Sequence, residues 1–195
     1  KDNELFKLGK ISIQVLHTPG HTLESSCYLL LDENDNPHAI FTGDTLFVGD
    51  VGRPDLSSGN LTSAELAGIM YETLQNKILP LADDVIVYPA HGAGSSCGKS
   101  MGPETFSTIG EQKKTNYALR EMRKEEFIKE VTEGLVAPPA YFFSDARINK
   151  QGYEAIDAVM LKNLRSLSVD ALELEIQSGS MVLDTRDPEV FETGF

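Results

Sequence analysis

Three short strings, in fixed order, each set a metal-capable side chain in a tight turn behind a run of apolar residues. They are His17-Thr18-Pro19-Gly20-His21, Phe41-Thr42-Gly43-Asp44 and Tyr88-Pro89-Ala90-His91. Apolar, often β-branched runs that stop at Gly or Pro predict strands ending in sharp turns. Strand ends are rigid places to hold a functional side chain. Imidazole and carboxylate are the donors that zinc and non-haem Fe(II) share. His21, Asp44 and His91 are therefore expected to converge, although 70 residues separate the outer two. His17 and His21 have the four-residue spacing of a zinc-binding helix, but Pro19 and Gly20 between them argue against that helix. His38 reads as a surface residue.

The surrounding pattern predicts a mixed α/β layered domain. Ile11–Leu16 alternates at period two, as a half-buried strand does. Cys27–Leu31 and Ala39–Phe41 flank the turn Asp32–Pro37 and read as a hairpin. Thr62-Ser63-Ala64-Glu65 is a capping box, in which hydroxyl and carboxylate satisfy orphan N–H groups. The helix it opens places Leu66, Ile69, Met70, Leu74 and Ile78 on one face and stops at Pro80. Val85–Tyr88 is the next strand. Beyond residue 103 the pattern predicts helices at about 107–119, 121–133 and 152–164, broken by Ala137-Pro138-Pro139-Ala140. Near residue 168 a new unit begins, with a helix from Val169, a strand at Met181–Asp184 and a helix after Thr185.

Seventeen basic against 30 acidic side chains give a net charge of −13. A nucleic-acid binder is expected to carry a basic stripe, and the one cationic stretch, Lys113 to Lys124, is interleaved with glutamates. It reads as a solvated helix face. Cys27 and Cys97 lie far apart without a C-x-x-C, which argues against a disulfide scaffold and a zinc knot. No run approaches the ~18 apolar residues of a membrane span. A cytoplasmic protein is the default expectation. The start, Lys-Asp-Asn-Glu, has no initiator Met and suggests processing or fragmentation. Ala93–Ser100 nearly matches a phosphate loop, but Gly102-Pro103 interrupts the helix that such a loop requires.

The three strings, in this order and with these neighbours, resemble the C-terminal half of the metallo-β-lactamase superfamily. That family's first signature, His-x-His-x-Asp-His, is not in this chain, so the resemblance implies half of a metal site. Several further strings resemble persulfide dioxygenases fused to rhodanese domains: Phe47–Leu56, His91–Lys99, Ser107–Lys113 and Pro138–Phe142. Ser180–Phe191 resembles the opening of a rhodanese domain. The fold so implied is the C-terminal half of an αββα sandwich over residues 1–165. A linker and the truncated start of a rhodanese-like module follow over 166–195.

The resemblance implies that His21, Asp44 and His91 are metal residues and that Arg53 lies beside substrate. The implied activity is a persulfide dioxygenase, oxidising a low-molecular-weight thiol persulfide with O₂ to sulfite and thiol. In that reading His21 and Asp44 supply two members of a mononuclear Fe(II) facial triad, and His91 lines the pocket; zinc is the other metal implied. The alternative is a dinuclear thioester hydrolase of the glyoxalase II type, in which the residue matching Asp44 bridges two metals. A third reading is an inactive structural fragment. A small thiol persulfide is the implied partner, with no nucleic acid or membrane, and a homo-oligomer is compatible. Cys97, six residues after His91 in a Gly/Ser loop, reads as a loop thiol that could meet a persulfide.

Overall fold

The computed structural model describes residues 1–56, 60–99 and 101–193. Its contacts divide the chain into two units, Lys1–Pro139 and Ala140–Phe195. The first unit holds a six-stranded sheet in chain order: β1 (Leu5–Leu8), β2 (Ile11–His17), β3 (Ser26–Leu31), β4 (Pro37–Gly43), β5 (Ile86–Pro89) and β6 (Ser107–Thr108). Strands β1 to β4 form an antiparallel meander. β4 and β5 are parallel, with Ile40 opposite Val87. A parallel pair needs a long crossover, and α1 (Ser63–Thr73) supplies it.

α1 begins where the capping box places it. Glu65 N–H donates to Thr62 Oγ1 at 3.2 Å, and Thr62 N–H donates to the Glu65 carboxylate at 2.8 Å. The helix runs into a π-helical turn, Leu74–Ile78, before Pro80. Its inward face, Leu66, Met70, Leu74 and Ile78, is essentially fully buried. It packs in one core with Leu16, Cys27, Leu29, Ile40 and Val87 from alternate positions of the central strands. The other side of the same strands carries Tyr28, Phe41 and Tyr88, which are exposed. Phe41 and Tyr88 stack across the parallel pair at 5.5 Å. This one-sided burial is one half of a layered sandwich.

The 107–119 region, expected as one helix, is three pieces. Ser107 and Thr108 pair with Val87 and Ile86 as β6. Thr108 then caps α2 (Ile109–Thr115) by accepting Glu111 N–H. Asn116 leaves helical conformation, and its side chain accepts Ala118 N–H to start a 3₁₀ turn, Tyr117–Leu119. Asn favours such local bonds over helix continuation. The next helix, α3, spans only Lys124–Thr132 and buries Phe127 and Val131.

The second unit contains α4 (Phe142–Gln151), α5 (Ile156–Asn163), α6 (Val169–Gln177) and α7 (Pro188–Glu192). α4 is an element the sequence pattern missed. Gly152, at φ +85°, ends it. Met181–Asp184, expected as a strand, is not one; Met181 and Leu183 are largely exposed. A strand must give its backbone groups a partner, and no strand is present among the described residues of this unit. No described helix is long and apolar enough to cross a membrane.

Candidate metal centre

The three strings meet where the strands end. Gly43 takes φ +54°, the left-handed conformation that Gly adopts most readily, and turns the chain so that Asp44 leaves the end of β4. Thr42 Oγ1 donates to the Leu46 carbonyl at 2.6 Å and closes the turn. Ala90 N–H donates to the Gly43 carbonyl at 3.1 Å, which sets His91 beside Asp44. The first string joins through buried hydroxyls, with Thr18 Oγ1 2.9 Å from Thr45 Oγ1. Thr73 of α1 holds the Pro19 carbonyl at 2.7 Å. Gly20 lies so close to α1 that a Cβ there would meet Met70 Cβ at 2.6 Å.

Asp44 faces both histidines, each with a different oxygen. His21 Nε2 is 3.3 Å from Oδ2, and His91 Nε2 is 3.3 Å from Oδ1. His21 Nδ1 lies 2.9 Å from the Arg53 carbonyl. A carbonyl can only accept, so Nδ1 carries a hydrogen and Nε2 is the ring atom turned to Asp44. Two acceptors at this distance repel unless a cation or proton lies between them. Backbone carbonyls behind the ring fix metal-binding imidazoles in this way, so these donors fit a metal ion. His91 is set against Phe47, ring centroids 6.0 Å apart. Cys97 joins the group: ligand atoms of Asp44, His91 and Cys97 all lie within 4.8 Å of one another. Burial, and then the Asp44 carboxylate, push the Cys97 thiol up, while a hydrogen bond with Ser95 opposes them. His17 stays outside, with Nε2 2.8 Å from the Leu23 carbonyl, and His38 is exposed.

The loop after Asp44 is fixed by packing and by a buried polar network. A Cβ on Gly52 would collide with the Asp44 carbonyl oxygen and touch His21. Fully buried Asp50 accepts from the Tyr117 hydroxyl at 2.9 Å and from Val51 N–H at 2.8 Å. Burial, and then Asp50, push the Tyr117 hydroxyl well above its ordinary range. Asn116 Nδ2 donates to the Asp50 and Phe47 carbonyls, and the Gln112 side chain accepts from Gly49 N–H. No periodic pattern marks these residues, because the Tyr117, Asn116 and Gln112 partners are over 60 positions away in sequence.

Arg53 is almost fully buried and its guanidinium is engaged. Nε and Nη2 form a fork on the Asp55 carboxylate at 2.8 and 2.7 Å, Nη2 also donates to the Val136 carbonyl at 2.6 Å, and Nη1 reaches Ser96 O at 3.4 Å. The fork draws the Asp55 carboxyl below its ordinary range. Arg53 also lines a cavity of about 380 Å³ with Ser96, Lys99 and Val136. Lys99 Nζ is held by the Glu130 and Glu133 carbonyls, at 2.5 and 2.6 Å. No helix begins at Lys99, so the phosphate-loop reading has no structural support; its Ser100 lies outside the described residues.

No family model matches the chain. Over 108 residues it is 37% identical to a Schizosaccharomyces pombe protein named probable hydroxyacylglutathione hydrolase glo2, covering 55% of this chain and 38% of that protein. Relatives from Dictyostelium discoideum and Haemophilus influenzae carry the same hydrolase name. In three dimensions the chain is similar to a metallo-β-lactamase from Staphylococcus aureus subsp. aureus COL. That match has TM-score 0.72 and 39% identity, over 79% of this chain and 44% of the other. It is also similar to ETHE1 from Myxococcus xanthus, with TM-score 0.60 and 30% identity, over 77% of this chain and 58% of that one. The chain spans about two fifths of the length of the curated relatives it matches. The chain thus has the fold of the metallo-β-lactamase-type structures it matches, a fold that implies bound metal ions.

Proposed function

We propose that the full-length protein is a metal-dependent hydrolase that cleaves the thioester of a small thiol conjugate, the glyoxalase II type of reaction. The observation that carries this reading is the posture of Asp44, whose two oxygens address two different imidazoles, His21 and His91, at 3.3 Å each. His21, Asp44 and His91 would together hold the metal, and a carboxylate offering a separate oxygen to each imidazole would suit a two-ion centre. The hydrolase names of the sequence relatives support the same reading. Metal ions at such a centre supply a Lewis acid and a water-derived nucleophile at neutral pH. The chain's own part is positional. His21 is held by the Arg53 carbonyl, His91 is set against Phe47, and Gly43 fixes the Asp44 turn.

Arg53 belongs to the proposal as the residue beside substrate, at the cavity it shares with Ser96 and Lys99. Its fork is taken by Asp55, so a carboxylate of the thiol carrier would meet Nη1, whose one contact among the described residues is the Ser96 carbonyl at 3.4 Å. The proposed partner is a small molecule; nucleic acid and membrane have no place in it, and a cytoplasmic homo-oligomer is compatible with it.

A second reading is favoured by the loop Phe47–Leu56 and by the likeness to the Myxococcus protein. In it the protein is a persulfide dioxygenase. Mononuclear Fe(II) would be held by His21, Asp44 and a histidine from outside this chain, with His91 lining the pocket. One preparation of the full-length protein separates the two. The hydrolase reading expects two metal ions per chain and thiol release from a hydroxyacyl-glutathione thioester without oxygen. One iron per chain with oxygen uptake on a glutathione persulfide would replace it by the dioxygenase. Absence of both activities in the metal-loaded full-length protein would overturn both readings.

A further inference from the structure

Asp44, His91 and Cys97 form the one group of three metal-capable side chains, among the described residues, whose ligand atoms all lie within 4.8 Å of one another. We infer that Cys97 is a protein ligand of the metal centre, joining Asp44 and His91 to hold a zinc-type divalent ion.

Three observations place the sulfur there by construction. The first is distance: ligands of one tetrahedral ion lie about 3.3–3.8 Å apart, given bonds of ~2.0–2.3 Å. His91 and Asp44 already stand at 3.3 Å, so closing on Cys97 is a small movement. The second is the backbone. Arg53 N–H donates to the Cys97 carbonyl at 3.0 Å, while the Arg53 carbonyl holds His21 Nδ1 at 2.9 Å. One peptide unit apart, the same residue therefore fixes a known face of the centre and the loop that carries the thiol. Two residues on, Lys99 N–H donates to the buried Asp50 carboxylate. The third is the glycine on the far side of Cys97: a Cβ at Gly98 would stand 2.8 Å from Asp50 Oδ2. That close approach seats the loop against the site.

Sulfur changes what the centre prefers. A carboxylate and imidazoles suit zinc and iron alike, whereas a thiolate shifts the preference toward softer ions such as zinc. On binding, the Cys97 S–H bond breaks, its proton leaves to solvent, and a sulfur lone pair forms the coordinate bond. The inference rests on the metal centre of the proposed hydrolase but not on its reaction. It also draws all three ligands from this chain.

Cobalt(II), a spectroscopic substitute for zinc, tests it on the 195-residue chain. The expected result is a thiolate-to-cobalt charge-transfer band in the near ultraviolet together with visible ligand-field bands. Cys97→Ser should abolish the former and weaken cobalt binding at least about tenfold, the lower bound for disturbing metal support. Cys27 is fully buried and remains in the variant, so it serves as the internal control. A melting curve checks that the variant is folded. Zinc should also slow iodoacetamide alkylation of Cys97 in the unmutated chain, a readout that needs no variant. Ligand-field bands without charge transfer, unchanged in Cys97→Ser, would overturn the inference while leaving a His/Asp metal centre in place. Absence of every cobalt band would overturn it too, and would leave the hydrolase reading to its own test with the full-length protein.

Discussion

The main chain of Arg53, not its side chain, holds His21: the Arg53 carbonyl accepts the Nδ1 hydrogen at 2.9 Å. The guanidinium meanwhile forks onto Asp55 and caps Val136. Arg53→Ala can keep the first bond and must lose the second set. A half-buried carboxylate would be left without its charged partner, so the expected loss of stability is about 1–2 kcal/mol, less than for a fully buried pair. The proposed substrate contact adds a raised KM at unchanged metal content. Melting curves and steady-state kinetics on one preparation of full-length protein check both. A lower Tm with normal KM would remove Arg53 from the substrate site.

Asp55 gives this ion pair a pH signature. The Arg53 fork holds its carboxyl below the ordinary value of about 3.9. A group whose folded pKa is depressed stabilises the fold above its unfolded pKa and loses that contribution as pH falls through the folded value. The stability gap between wild type and Asp55→Asn should therefore be constant above about pH 5 and close on acidification below about pH 4. Urea unfolding at a series of pH values measures it. A gap that persists at the lowest pH where the fold survives would mean that Asp55 acts through packing alone.

His91 separates the two metal stoichiometries. If Asp44 lies between two ions, His91→Ala should release one of them and most of the hydrolytic activity, while Asp44→Ala releases both. Elemental analysis after dialysis reads this directly in the full-length protein. Retention of all metal in His91→Ala would count against the dinuclear reading.

Gly52 is packed against the carbonyl of Asp44 and the side chain of His21. Gly52→Ala has nowhere to put its methyl group, since a backbone oxygen cannot swing aside. Overpacking of this kind costs about 1–3 kcal/mol. Because the displaced atoms belong to the centre, metal affinity should fall along with Tm. A variant that loses Tm but binds metal normally would show that the loop relaxes away from the site.

Tyr117→Phe removes one hydroxyl from the fully buried Asp50 carboxylate and changes little in shape. Hydrogen bonds to charged groups contribute about 1.5–3 kcal/mol, and chemical denaturation should show a loss in that range. A neutral substitution would mean that Asp50 draws its stabilisation from backbone donors such as Val51 N–H.

The sequence alone was enough to place the turns that carry His21, Asp44 and His91, because they are local. Gly43 at positive φ, Pro19 and Pro89 act on the residues beside them, and an apolar run predicts a strand from its own pattern. The capping box at Thr62 and Glu65 is legible for the same reason: both partners lie within one helical turn. Convergence of His21, Asp44 and His91 could be expected from strand ends, but the two faces of Asp44 could not. Those depend on the parallel seating of β5 beside β4, which brings Ala90 N–H to the Gly43 carbonyl.

Tertiary structure decided the rest. Whether Arg53 pairs with Asp50 or Asp55 is open in sequence; the fold gives Asp50 to Tyr117 and leaves Asp55 to the guanidinium. Ser107 and Thr108 look like helix until β5 offers them a ladder. Met181–Asp184 looks like strand, yet no described neighbour satisfies its backbone. Cys97 reads as a loop thiol until Arg53 N–H draws its carbonyl to the centre. Where an interaction decides, as for Asp50 with Tyr117, Ser107 and Thr108 with β5, and Cys97 with Arg53, it joins residues distant in sequence. Its free energy belongs to the packed state, and no local propensity reports it.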